Sequence, residues 1–206
     1  MKYIDLTYTV VDNMPVFPGD PAMALKQVAA IEKNGYTDHQ LSTYMHVGTH
    51  MDAPLHMIEN GAYMSEIPVG QFTGPGILVD ARGKQTIDAR VLNGKKMQRG
   101  SIVLLFTGYD KKYRTPEYDS GYPKISMDFA EQLVNSKIKI LGMDMVNPDT
   151  EETFPIHKKL LSHSTLIIEN LTNLGKLLNV HSFDVFAFPM NIRADAAPVR
   201  VVARIP

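Results

Sequence analysis

Four short apolar runs limit what this chain can become: Ile77–Asp80, Ile102–Phe106, Ile138–Met143 and Leu166–Glu169. Each is too short for a stable helix and rich in β-branched or aliphatic residues, which suits strands buried on both faces. Tyr3–Val11 alternates loosely and reads as a further strand, as do Phe183–Phe188 and Val199–Ala203. Two alternating runs, about 25–32 and 36–46, flank Asn34-Gly35, a dipeptide that tolerates positive φ, so the sequence predicts a hairpin there. The segment Met14–Pro21 holds three prolines and is a loop. Helices are expected from Ser126, as N-cap, to about Lys137, over Pro155–Leu161, and in a short piece near Leu174–Leu178. Hairpins first and crossover units later give an α/β class with a single mixed-sheet domain over residues 1–206.

Composition narrows the chemistry. The 206 residues carry a formal net charge of −1 with no single-sign run, which argues against a nucleic-acid partner. There is no cysteine, so any metal must be held by imidazole and carboxylate. No window approaches the ~20 apolar residues of a membrane span. Asp5 interrupts what would be the apolar stretch of a signal peptide, so a cytoplasmic protein is expected.

Three of the 7 histidines fall in one eleven-residue segment, His46-Val47-Gly48-Thr49-His50-Met51-Asp52-Ala53-Pro54-Leu55-His56. The pair His46 and His50 has the i, i+4 spacing of helical zinc sites, but Val47 stands where a general-base Glu would be. Gly48 and Pro54 also disfavour a helix, so the segment reads as an irregular loop with tight turns at Gly48 and Ala53-Pro54. Such a donor set suits zinc, with manganese as the second candidate. Three protein ligands leave one position for water, whose pKa a metal lowers from about 15.7 to near 7. On spacing alone, a histidine-rich surface turn without metal remains open. His39 and His163 claim no motif and read as surface or structural residues.

The string HVGTHMDAPLH resembles the signature H-x-G-T-H-x-D-x-P-x-H of the cyclase family, which includes bacterial kynurenine formamidases (arylformamidases) and manganese-dependent isatin hydrolases. Pro15–Asp20 is similar to that family's proline-glycine-aspartate loop, and Phe106-Thr107-Gly108 to its strand-ending Thr-Gly. His157–Leu161, Ile168–Leu171 and the tail Ala194–Arg200 resemble its late elements. The resemblance implies a swivelling β/β/α fold. It implies His46, His50 and Asp52 as ligands of a first metal, with Asp52 bridging to a second ion held by His157 and Glu169. It implies His56 as a proton shuttle, and a homodimer or homotetramer with the neighbouring subunit close to the site. Read without it, His157 beside Lys158-Lys159 is a solvated histidine and Glu169 a strand-end carboxylate.

The expected activity is hydrolysis of an N-formyl arylamine such as N-formylkynurenine, on one or two zinc ions per chain. The alternatives are ring opening of a cyclic amide or lactone, and a non-catalytic metal-binding scaffold. Phe17 and Tyr63 are candidates to wall an aromatic pocket, with packing in the core an equal alternative for each.

Overall fold

The computed structural model describes Met1–Pro206. Its first half runs β1 (Lys2–Asp5), β2 (Ala24–Ala29), the one-turn α1 (Ile31–Asn34), β3 (Asp38–Ser42), β4 (His50–Asp52) and β5 (Thr73–Asp80). Then follow β6 (Thr86–Ile87), β7 (Ile102–Phe106), β8 (Lys124–Ile125), α2 (Met127–Asn135), β9 (Ile140–Met143) and α3 (Pro155–Leu161). The chain ends with β10 (Leu166–Glu169), β11 (Asp184–Pro189) and β12 (Ala196–Ile205).

The four apolar runs become the parallel centre of the main sheet, in the order β5-β7-β9-β10. Alternation along them separates two cores. Ile102, Leu104 and Phe106 enter one cluster with Met51, Ile168, Val185 and Val201; Val103 and Leu105 enter another with Phe129, Leu133, Ile156 and Leu160. The second cluster is therefore the layer between the sheet and helices α2 and α3. The first fills the inside of the sheet, because β12 pairs with β11 on one side and β4 on the other, closing seven strands on themselves. Burying each such aliphatic or aromatic side chain contributes about 1.5–3 kcal/mol relative to leaving it in water.

Several sequence expectations change at their edges. β1 stops at Asp5 because the Asp5 carboxylate accepts the Thr7 N–H at 3.2 Å, turning the chain before Val11. The hairpin forms between β2 and β3, but a helical turn ending at Gly35 (φ 77°) joins them in place of a two-residue turn. Ser126 precedes α2, yet its hydroxyl bonds the Ile87 carbonyl and the Asp128 side chain and caps no helical N–H. α3 and β10 have the expected bounds.

Candidate metal centre

The segment 46–56 is less irregular than its glycine and proline suggest. Its middle, β4, is a true strand, antiparallel to β10 and β12. Period-2 geometry then puts His50 and Asp52 on one face and the fully buried Met51 on the other, in the core. Gly48 adopts φ 63°, and a Cβ there would come within 2.8 Å of Met14 Cε. That turn brings His46 back beside Asp52, and the short 3-10 turn Pro54–His56 returns His56 to the same side. The register β4–β10 sets Glu169 directly opposite His50. α3 delivers His157, which is buried, not solvated.

Five side chains thus converge on Asp52. One carboxylate oxygen, Oδ1, lies 3.1 Å from His46 Nδ1 and 3.5 Å from His50 Nε2. The other, Oδ2, lies 3.7 Å from His157 Nε2. Glu169 divides in the same way, with Oε2 3.4 Å from His50 Nε2 and Oε1 3.4 Å from His157 Nε2. Two atoms bound at about 2.1 Å to one ion at a tetrahedral angle stand about 3.4 Å apart, so these are ligand-to-ligand spacings. His56 also comes within reach: with His46 and Asp52 it offers three ligand atoms within 4.8 Å of one another.

Three buried atoms here have no hydrogen-bond partner: His50 Nε2, Asp52 Oδ1 and Asp52 Oδ2. An unpaired buried carboxylate is costly, and a cation between these atoms would remove that cost. The tautomers agree. His50 Nδ1 donates to the Gly48 carbonyl at 2.9 Å and His157 Nδ1 to Asp149 Oδ2 at 2.7 Å, each leaving Nε2 as the inward lone pair. With neutral histidines, the carboxylates of Asp52, Glu169, Asp149 and Asp195 carry a charge that two dications would balance. The residues present fit a pair of divalent ions.

The same side chains also shift one another's protonation. Burial opposes the charged form of His46, but the hydrogen bond to Asp195 and the nearby Asp52 carboxylate outweigh it and push its pKa up to about 10. Burial likewise opposes the His157 cation, and Asp149 with Asp52 and Glu169 raise it well above the ordinary histidine value. Burial pushes the Asp52 carboxyl up, yet His157, His46 and His50 hold it well below the usual range. Glu169 is lowered too, its histidine contacts overcoming burial. His56 goes the other way: burial, with the neighbouring His46 and His157, keeps it below its ordinary value despite Asp52 and Asp195.

The cluster forms the floor of a cavity of about 310 Å³. Phe17, Tyr44, Tyr113, Tyr118 and Phe154 supply aromatic walls. Tyr113 is clamped by stacking on Tyr8 at 3.7 Å and edge contact with Tyr118 at 5.2 Å. Phe154 holds φ 51° at the start of α3, a strained conformation for a bulky residue, and sets its ring edge-on to His157. Phe17 is placed as expected. Tyr63 does not line the cavity; its ring lies under the Arg193 guanidinium, 3.9 Å away. His39 and His163 are exposed.

Sequence reasoning missed three supporting residues. Asp149 fixes His157 and caps α3 by accepting the N–H groups of Ile156 and His157. Asn170 donates to the Gly48 carbonyl and accepts from the Tyr118 hydroxyl, tying the segment 46–56 to a cavity wall. Asp195 contacts His46 and His56 from the far end of the chain. No local pattern announces the first and third, whose partners lie 8 and 139–149 residues away.

A family model described as putative cyclase matches residues 4–150. The chain is 26% identical to a kynurenine formamidase of Bacillus cereus, over 98% of this chain and 97% of that protein. Among solved structures, one titled as a potential metal-dependent hydrolase with cyclase activity superposes with a TM-score of 0.81 at 29% identity, covering 100% of this chain and 99% of that one. Isatin hydrolase A of Labrenzia aggregata shares the fold, with a TM-score of 0.88 at 22% identity over 99% of this chain and 93% of that one.

Proposed function

The chain belongs to the cyclase family, and from its site we propose that it is a metal-dependent hydrolase cleaving the amide of an N-formyl arylamine, of which N-formylkynurenine is the leading candidate. One observation carries the reading. Two carboxylates and three histidines have ion-spaced ligand atoms, and His46, His157 and Glu169 of this set line a cavity whose walls are aromatic. The relative named kynurenine formamidase supports the substrate class.

In this reading His46, His50 and Asp52 would hold one ion, and Asp52, His157 and Glu169 the other. Zinc suits the nitrogen-rich donor set, and manganese is the second choice. When bound, the ions supply Lewis acidity towards the carbonyl oxygen and lower the pKa of water. The chain's own groups do the rest. Phe17 and the tyrosine cluster seat the aryl ring and exclude water. His56, whose depressed pKa keeps it neutral near pH 7, takes a proton from the attacking water and returns it to the departing nitrogen. The new C–O bond forms first, the C–N bond breaks as the nitrogen receives the proton from His56, and the products are the free arylamine and formate.

Residues 1–206 act as one unit in this reading, with the closed sheet and its helices as the swivelling β/β/α fold, in a cytoplasmic enzyme. We read the working form as a homodimer. The β2–β3 hairpin stands exposed and carries Val28, Ile31, Tyr36 and Leu41 at its surface, while a lone two-stranded hairpin is marginal in water. A second copy covering it would shelter these side chains.

Assay of the zinc- and manganese-loaded protein on N-formylkynurenine and on isatin tests the activity. Release of formate from the first is expected. Turnover of isatin alone would move the reading to cyclic amides, and turnover of neither would defeat it.

A further inference from the structure

A single carboxylate oxygen joins the two histidines that face the cavity mouth. Asp195 Oδ2 stands 2.9 Å from His46 Nε2 and 3.2 Å from His56 Nδ1, while the two imidazole rings lie 4.1 Å apart, centroid to centroid. We infer that Asp195 is a positioning residue that sets the tautomers of both rings at once, His46 as an ion ligand and His56 as a proton carrier. The inference rests on the reading of His56 given above.

The argument is one of donors and acceptors. An ionised carboxylate only accepts, so each ring nitrogen facing it must carry hydrogen. His46 then presents its Nδ1 lone pair towards Asp52 Oδ1, 3.1 Å away, where an ion would lie. His56 presents Nε2 as its free base. An aspartate, ordinarily ionised above about pH 4, offers these rings only an acceptor at neutral pH. Without the carboxylate, either nitrogen of a neutral histidine can carry the proton, and part of the population would have the wrong end turned inwards.

The backbone fixes where this oxygen sits. Asp195 immediately precedes β12, whose first residue, Ala196, pairs with Asp52 in the β4 register. The Asp195 carbonyl accepts the Ala53 N–H at 2.9 Å. The residue is thus pinned to the metal loop by the same ladder that closes the sheet. Its side chain is 39% exposed, so removal should leave the core intact.

Long-range ¹H–¹⁵N spectra of the zinc-loaded protein, with histidine signals assigned by single substitutions, read the tautomers without any turnover. Wild type should show His56 protonated at Nδ1, and Asp195→Ala a mixture of both forms. At saturating zinc, Asp195→Ala should lower kcat by about 10–100-fold with KM changed less than about twofold, the usual size for removing an outer-shell carboxylate. Asp195→Asn can place an amide oxygen where Oδ2 lies, and should recover part of the tautomer preference and of kcat. A wild-type His56 protonated at Nε2 overturns the inference, and so does an Asp195→Ala spectrum identical to wild type. If wild type hydrolyses neither formylkynurenine nor isatin, the proposed activity fails, while the spectra still decide the role of Asp195.

Discussion

Asp149 accepts the Nδ1 proton of His157 at 2.7 Å and, with the same carboxylate, the first free N–H groups of α3. One buried acid therefore sets both the ring and the helix that carries it. Asp149→Ala should weaken binding of the second ion by about 10–100-fold, read by zinc titration with a chromophoric chelator. The first ion should bind as in wild type. Equal weakening at both sites would mean that the variant disturbs the whole centre.

Glu169 faces His50 with one oxygen and His157 with the other. Glu169→Gln keeps the shape but loses the charge that holds a second dication, so metal content should fall from two ions per chain towards one. Elemental analysis of the purified variant checks this. A variant that still holds two ions would remove Glu169 from the ligand set.

His56 lies within ligand reach of His46 and Asp52, yet its Nδ1 is engaged by Asp195. His56→Ala should keep its metal and lose about 10²–10⁴-fold in kcat, the ordinary range for general acid–base catalysis. Steady-state kinetics and metal analysis on one preparation separate the roles. Loss of an ion would make His56 a ligand, and near-normal turnover would assign the proton transfer elsewhere.

The metal-stripped protein should lose stability as pH rises. His46 has a folded-state pKa of about 10, above the ordinary histidine value of 6.5. The stability it contributes is complete below about pH 6.5 and is lost on approaching pH 10. Ion binding has the opposite trend, because the ligands must give up their protons first. The difference in Tm between zinc-loaded and stripped protein should therefore widen between pH 6.5 and 9. A constant difference across that interval would contradict the proton-for-metal exchange.

The β2–β3 hairpin gives a fifth, independent test. Leu41 is 47% exposed and pairs across the hairpin with Leu25. Leu41→Lys should shift the mass measured by light scattering towards one chain. A wild-type protein already of one-chain mass would exclude the homodimer.

The legible parts of this chain were those governed by local rules. The runs Ile102–Phe106 and Leu166–Ile168 announced buried strands because they are apolar at every position, and the short helix over Pro155–Leu161 was legible too. The signature segment pointed to its own ligands, while His157 and Glu169 were suggested by family resemblance alone. Their burial together depends on the β4–β10 register and on α3 packing against the sheet, which no local spacing encodes. The same limit hid Asp149 and Asp195. The segment 46–56 was read as irregular because a three-residue strand is too short to leave an alternating pattern.

The closing of the sheet by β12 has a consequence in time. β4 makes ladders only with β10 and β12, so the strand bearing His50 and Asp52 has no backbone partner until residues 166–205 have been made. On the ribosome the histidine-rich segment must wait for more than a hundred further residues. A nascent chain should capture zinc only once β10 and β12 have emerged, and folding governed by such distant pairings should be slow for a domain of this size.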